Sequence, residues 1–204
     1  MTEFNIVLAG VGGQGILLAG EILGTAALKE GLNVRVSEIH GMAQRGGSVT
    51  SNVRIGEGVL APTVVEGTAD IIVGFEPIET LRNLRFASAK TTVLLNNESI
   101  PPPGLTAKLM DYPSLGDIIN KIHMFTEKII VLEAAEAAEK AGSILTRNAV
   151  LIGALAATEK MPVNDESLKE AIRGLVPARY LKMNMKAFEL GREHFVERSQ
   201  SIAL

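Results

Sequence analysis

The stretch FNIVLAGVGGQGILLAGEIL, residues 4–23, joins a short apolar run to a helical pattern through a glycine-rich turn. The apolar run over 4–10 ends in glycine and predicts a buried first strand. Over 12–31 the apolar residues recur at helical spacing, and Gly31 suits the C-terminal cap of that helix. A buried strand that leads through glycines into a helix is a typical beginning of an α/β domain.

The turn itself carries a known pattern, because Gly10, Gly12 and Gly15 match the G-x-G-x-x-G spacing of dinucleotide-binding loops. Glycines there let the backbone approach a phosphate, while the amides of the helix N-terminus face the anion. Glu38 stands at the end of the second predicted strand, where a ribose-binding carboxylate is expected. Gln14 has a side-chain amide that can donate to a ligand or a neighbouring chain. The alternative is that the glycines only pack the helix on the sheet or serve an interface.

The rest of the chain alternates apolar runs with helical patterns. Strands are predicted at 33–39, 48–55, 69–75, 90–97 and 128–134, and helices near 77, at 114–122, 133–141, 146–159 and 165–198, the last with a break near LVPARY. This alternation predicts an α/β, three-layer Rossmann-like fold, with a mostly parallel sheet, helices on both faces and a helical C-terminal extension. We expect one domain over 1–204, with an α/β core over about 1–145 and a helical part over about 146–204.

Composition excludes several classes of function. The net charge is −3 and no long basic run occurs, so nucleic acid and anionic membranes are not expected partners. The chain has no cysteine, which excludes disulfides, cysteine-ligated zinc and cysteine-ligated iron–sulfur clusters on it. No signal peptide and no apolar run long enough for a membrane span is visible, so a cytoplasmic protein is expected.

A second polar and glycine-rich cluster, HGMAQRGGSV, occupies residues 40–49 after the second predicted strand. Gly46 and Gly47 permit positive φ or close backbone approach, and Arg45 offers a planar fork for phosphate or carboxylate. His40 can carry a proton near neutral pH, but no nucleophile or metal-ligand set accompanies it. We therefore predict a hydrogen-bonding or interface role for His40 and assign no catalytic and no metal-binding residue.

Later in the chain, Arg147 and Asn148 precede the apolar stretch AVLIGAL. We expect them to cap that helix; the alternative is that they face a partner. His123 and His194 stand singly and are expected to be ordinary surface or partly buried residues.

Five segments in order, GVGGQGILLAGEIL, SEIHGMAQRGGSVTSNVRIGE, ADIIVGFEPIETLR, NAVLIGAL and NMKAFELG, resemble the small subunit of 2-oxoacid:ferredoxin oxidoreductases. The second segment is most similar to the beta subunit of the indolepyruvate enzymes, which corresponds to the gamma subunit of the pyruvate enzymes. The resemblance is strong over 10–82 and 148–191 and loose across 98–145.

The resemblance implies a reaction that this chain supports together with a larger partner. Family enzymes oxidatively decarboxylate an aryl 2-oxoacid with coenzyme A, giving an acyl-CoA, carbon dioxide and reduced ferredoxin. Thiamine diphosphate and iron–sulfur clusters belong to the large alpha subunit, so this chain is expected to bind no such cofactor and to be inactive alone. We expect a heterodimer or α2β2 assembly with this large subunit, and we expect ferredoxin to interact with the assembled complex. When the chain is isolated, we expect a homodimer.

The resemblance also places the two glycine clusters at the shared active site or the subunit boundary, with a role in coenzyme A access. The residues expected to contact this ligand are Gly12, Gly13, Gln14, Gly15, His40, Gly41, Arg45, Gly46 and Gly47. The alternative is a stand-alone Rossmann NAD(P)-binding dehydrogenase or nucleotide-binding module. Against it, the sequence has no evident substrate domain and no Tyr–Lys or His–Asp arrangement.

Overall fold

A computed structural model describes residues 3–41, 46–101 and 112–202. In these ranges the strands are β1 (Phe4–Val11), β2 (Val34–His40), β3 (Ser48–Ile55), β4 (Ile71–Gly74), β5 (Thr92–Asn96) and β6 (Ile129–Leu132). The helices are α1 (Ile16–Lys29), α2 (Pro77–Arg82), α3 (Leu115–His123), α4 (Ala134–Ala141), α5 (Arg147–Ala156), α6 (Asp165–Leu175) and α7 (Ala178–Ile202). Short 3₁₀ turns at Leu84–Phe86 and Ile144–Thr146 complete the described elements.

The strands form one sheet in the order β2-β3-β1-β4-β5-β6. Along the part of the sheet that contains β1, β4, β5 and β6, each strand is parallel to the next. β3 is antiparallel to both of its neighbours, β1 and β2. The predicted α/β fold with a mostly parallel sheet is therefore confirmed, with β3 as the antiparallel strand. β2 and β3 are adjacent antiparallel strands, a pairing that the length of the glycine-rich segment between them conceals in the sequence.

Helices cover both faces of the sheet, because β1 alternates its apolar side chains between two cores. Ile6 and Leu8 face the larger core, which contains residues of α1, α5, α6 and α7. Val7 faces the smaller core, which is closed by α3 and by partly buried residues of α2. Because β1 is buried on both faces, apolar side chains occur on both of its sides over 4–10, and the polar Asn5 within it is buried and hydrogen-bonded.

The C-terminal helices pack closely on this larger core. A Cβ atom on Gly153 of α5 would lie 2.0 Å from the carbonyl oxygen of Phe188, and one on Gly191 of α7 would lie 2.0 Å from that of Val150. Backbones can approach this far only where no side chain intervenes. The two glycines thus lock α5 against α7, and this fixes the position of the N-terminus of α5 beside the sheet.

The predicted break near LVPARY is confirmed, since α6 ends at Leu175 and α7 begins at Ala178. Although α7 has 25 residues, none of the helices in the described ranges combines the length and apolarity that crossing a bilayer requires.

Candidate functional site

The turn after β1 is built from glycines in conformations that other residues rarely adopt. Gly13 has φ 102° and Gly15 has φ 78°, so α1 begins at Ile16 and not at 12 as the apolar spacing predicts. The first amide to bond back into the turn is that of Ala19, which donates to the carbonyl oxygen of Gly15 at 3.0 Å. The preceding amides of α1 have no carbonyl of the same helix to bond, and they carry the positive end of the helix dipole. The turn can therefore receive an anion.

Gln14 holds this turn in place from inside the protein. Gln14 is 5% exposed, and its Oε1 accepts a hydrogen bond from the amide of Val11 at 2.9 Å. Its Nε2 donates to the carbonyl oxygen of Phe75, just after β4, at 2.8 Å. A Cβ on Gly10 would lie 2.5 Å from Oε1 of Gln14 and 2.6 Å from Cβ of Phe75. Gly10 thus serves packing, and the amide that the sequence suggests for a ligand is engaged within the chain.

The two glycine clusters meet in the structure. The amide of Gly12 donates to the carbonyl oxygen of Gly47 at 2.9 Å, and the amide of Gly46 donates to the carbonyl oxygen of Gly12 at 3.4 Å. At the other end of the segment between β2 and β3, the amide of Gly41 donates to the carbonyl oxygen of Ser48 at 2.7 Å. The ladder between β1 and β3 therefore continues beyond both strands. Arg45 lies outside the described residues.

A cleft of about 630 Å³ opens beside this junction. Its described lining combines backbone of the first glycine turn, apolar side chains and the end of β2: Val11, Gly12, Gly13, Gly15, Ile16, Leu17, Leu18, His40, Gly41 and Val49. Free helix amides at one end and apolar walls beside them suit a ligand with both anionic and apolar parts.

The position of Glu38 contradicts its predicted role at a ribose. In a dinucleotide-binding fold the second strand lies beside the first, but here β3 separates β2 from β1. Glu38 lines another groove, between α1 and the outer strand β2, and its Oε2 lies 3.4 Å from Nε2 of the exposed His40. Among the described residues, no group of three His, Cys, Asp or Glu side chains could hold a metal ion.

The N-terminus of α5 approaches the glycine turn from the side of β5. The predicted capping is wrong: Thr146 is the N-cap residue, and no side-chain cap is formed within the described ranges. Arg147 instead forms an ion pair with Glu98, which follows β5. Asn148 is 3% exposed, and its Nδ2 lies 2.9 Å from where a Cβ on Gly15 would be. Sequence reasoning missed Glu98, although a polar residue just after a parallel strand is a signal for this edge.

A second carboxylate, that of Glu76, organises the next part of the same edge. It is 1% exposed and caps α2, with Oε2 accepting from the amide of Glu79 at 2.9 Å. Its Oε1 accepts from the amide of Ile100 at 3.2 Å and from the hydroxyl of Tyr112. Burial, together with the Glu76 carboxylate, raises the pKa of Tyr112 well above its usual value. Glu76 is therefore a buried anchor for the chain at 100 and at 112.

His194 is partly buried, and it joins a charged cluster at the end of β6. Its Nε2 lies 2.6 Å from Oε2 of Glu133, and Arg198 bonds the same carboxylate. Partial burial opposes ionisation, but Arg198 and His194 hold the pKa of Glu133 below its usual value. The cluster ties α7 to the sheet.

Comparison with known proteins supports the family that the sequence segments resemble. A family model described as pyruvate ferredoxin/flavodoxin oxidoreductase matches residues 5–194. The indolepyruvate oxidoreductase subunit IorB of Pyrococcus horikoshii is 47% identical over 192 residues, which cover 94% of this chain and 95% of that protein. The subunit of the same name from Thermococcus kodakarensis is 46% identical, with the same coverage.

A solved structure shares the fold. The 2-oxoglutarate:ferredoxin oxidoreductase of Magnetococcus marinus, with 2-oxoglutarate, coenzyme A and succinyl-CoA bound, aligns with a TM-score of 0.74 at 19% identity. The match covers 97% of this chain and 32% of that one, so the same fold there forms part of a longer chain. Because the family model spans nearly the whole sequence and the two relatives match over 94% of it, the chain belongs to the pyruvate ferredoxin/flavodoxin oxidoreductase family, as the resemblance of its five sequence segments predicts.

Proposed function

We propose that the chain is the small subunit of an indolepyruvate-type 2-oxoacid:ferredoxin oxidoreductase and that its cleft positions coenzyme A. The names of the two relatives, at 46% and 47% identity, support the subunit and its substrate class. The observation that carries the ligand is the contact of Gly12 with Gly47, because it builds one cleft from two glycine clusters.

The cleft suits the chemistry of coenzyme A, which joins a diphosphate to a long, less polar arm. The amides that begin α1 can bond phosphate oxygens, and the left-handed Gly13 keeps a side chain out of that approach. Leu17, Leu18 and Val49 line the cleft with apolar surface. Such a site binds and orients a co-substrate, and it needs no catalytic side chain of its own.

The reacting groups are assigned to a large partner subunit, in a heterodimer or α2β2 assembly that transfers electrons to ferredoxin in the cytoplasm. Iron–sulfur clusters need thiolate ligands, and this chain has no cysteine to supply them. In that assembly thiamine diphosphate, held by the partner, carries the 2-oxoacid chemistry. The part of this chain is to hold coenzyme A where the acyl group is transferred.

Reconstitution tests the subunit assignment. The large subunit is purified with and without this chain, and indolepyruvate oxidation is followed with ferredoxin as acceptor and coenzyme A as co-substrate. Activity that requires this chain supports the proposal, and full activity of the large subunit alone contradicts it. Tight binding of NADH to the chain, together with no effect of coenzyme A, would favour the dehydrogenase alternative.

Substitution within the second cluster tests the ligand. Arg45→Ala is expected to raise the coenzyme A KM or to weaken subunit affinity while the chain stays folded. Arg35→Ala is the matched control, since Arg35 is exposed on β2 and its guanidinium bonds only a neighbouring carbonyl among the described residues. Unchanged coenzyme A KM, turnover and subunit affinity in Arg45→Ala would reduce the segment to a glycine-rich turn.

A further inference from the structure

Buried oxygen atoms without a hydrogen-bond partner are concentrated at two places in the described chain. Within 3–41, 46–101 and 112–202, the side-chain atoms in this state are Ser51 Oγ, Asn52 Oδ1, Glu98 Oε2 and Asn148 Oδ1. The first two belong to β3, inside the sheet. Of the other two, Glu98 follows β5 at the carboxyl edge of the parallel strands, and Asn148 lies beside Gly15 of the glycine turn.

Arg147 links Glu98 to the residue that precedes Asn148 at the start of α5. One oxygen of Glu98 pairs with Arg147, the residue before Asn148, and its other oxygen is left without a partner. Asn148 lies against Gly15, so its amide is next to the turn that begins α1. A buried acceptor without a donor costs free energy, and natural proteins leave few of them. Two such acceptors at one edge point to a group that supplies donors.

The two atoms also define the chemistry of that group. Both are acceptors, one on a carboxylate and one on a carbonyl, so they repel a phosphate and attract N–H or O–H groups. They therefore complement the amides of α1, which face anions. A ligand that spans both places has a phosphate end and, a few bonds further along, amide donors.

We propose that Glu98 and Asn148 form an acceptor subsite for the amide-bearing pantetheine arm of coenzyme A. This inference rests on the proposed function, because it presumes that coenzyme A phosphates lie at the glycine turn. The pantetheine arm follows the diphosphate and carries two amide N–H groups and a hydroxyl. The buried acceptors are retained because the ligand completes their hydrogen bonds.

The decisive variant is Asn148→Leu, which keeps the shape of the side chain and removes the acceptor. If the free protein gives this oxygen no partner, its removal leaves the melting temperature unchanged or higher. Asn52→Leu is the matched control, because Asn52 is also buried with an unpartnered Oδ1 but lies within β3. Glu98→Gln is the second variant, and it changes the other acceptor without changing its size.

Two probes separate this subsite from the phosphate site. Calorimetry on the complex with the large subunit compares coenzyme A with adenosine 3′,5′-bisphosphate, which has no pantetheine arm. We expect Asn148→Leu to raise the Kd for coenzyme A by about tenfold and to leave the Kd for the bisphosphate within about twofold. Glu98→Gln is expected to act in the same direction, and Asn52→Leu to leave the ratio of the two Kd values unchanged.

The outcomes are distinct. An unchanged ratio of Kd values in both Asn148→Leu and Glu98→Gln overturns the subsite, whatever their melting temperatures. Unfolding or a lower melting temperature of Asn148→Leu, with an unchanged ratio in Glu98→Gln, overturns it in favour of a structural amide. Loss of both ligands from the wild-type complex overturns the proposed function itself, and the subsite with it.

Discussion

The amide of Gly12 donates to the carbonyl oxygen of Gly47 at 2.9 Å, so the turn after β1 and the segment between β2 and β3 form one structure. Neither cluster could hold this shape alone, because each has glycines where side chains would otherwise fix the backbone. The contact also uses the amide of Gly12, which leaves those at the start of α1 for an anion. The candidate site is therefore a property of the sheet order, which puts β3 directly beside β1.

Gln14 supports that shape, and its removal is expected to lower stability. Gln14→Leu leaves the amide of Val11 buried without its acceptor and removes a donor from the carbonyl of Phe75. Because Asn96 also donates to that carbonyl, the main loss is at Val11. We expect the free energy of unfolding to fall by about 2 kcal/mol, measured by urea denaturation. An unchanged urea midpoint would show that water replaces the side chain.

The packing of α5 on α7 gives a second test. Gly153→Ala places a methyl group where the carbonyl of Phe188 lies, so the helices must separate. The expected loss is about 2 kcal/mol or more in the free energy of unfolding. Gly174→Ala in α6 is the control, since no heavy atom of the described residues lies within 4 Å of its new Cβ. That variant should gain about 0.5–1 kcal/mol from helix propensity. Equal effects in both variants would contradict the proposed close packing.

The cluster around Glu133 predicts a specific pH dependence. Its pKa is lowered in the folded protein, so its stabilising effect is full above the ordinary value of 4.5 and is lost as the pH falls through the lower folded pKa. Glu133→Gln should therefore destabilise the chain at pH 7, and the difference from wild type should shrink below about pH 4.5. Urea denaturation at several pH values measures this difference. Glu139→Gln is the control, because Glu139 is exposed on α4, the helix that follows Glu133. A difference that does not change with pH would show that the carboxylate charge is unimportant.

Local sequence patterns were sufficient to predict the strands and helices, but they did not predict which strands lie side by side in the sheet. The strands over 4–10 and 48–55 are predicted from composition and alternation, which depend on burial of each residue. The pairing of β3 with β1 depends on contacts between segments that are distant in the sequence. The glycine-rich segment between β2 and β3 contains no local pattern that predicts these contacts. Glu38 was misassigned for this reason, since its sequence position is right for a Rossmann fold and only the intervening β3 removes it from the site.

The backbone of the candidate site could be predicted from the sequence, but the hydrogen-bond partners of its side chains could not. Glycines that need positive φ are visible in the sequence, and Gly13 and Gly15 adopt it. The partners of a buried amide are not visible, because Gln14 and Asn148 have the same local signals whether they face a ligand or the chain. Only the fold shows that Gln14 is bonded internally and that Asn148 leaves an oxygen unpaired.

The glycine turn offers a test in which strain and ligand binding can be separated. Gly13 and Gly31 both have positive φ, at 102° and 72°, and no heavy atom of the described residues lies within 4 Å of a Cβ added to either. Gly13 lines the cleft, whereas Gly31 follows α1 at its far end. Alanine at each position is therefore expected to cost a similar 1–2 kcal/mol, roughly, of backbone strain. Only Gly13→Ala adds a methyl group where a phosphate would approach.

We therefore expect Gly13→Ala to raise the coenzyme A KM of the assembled enzyme by about tenfold or more, with kcat changed less. Gly31→Ala should lower the melting temperature to a similar extent and leave the coenzyme A KM as in wild type. Steady-state kinetics on complexes with the large subunit, at a temperature where all variants are folded, measures both. If the two variants raise KM equally, the effect comes from strain transmitted through α1, and the cleft is not the binding site. If neither changes KM, the amides of the turn do not contact coenzyme A.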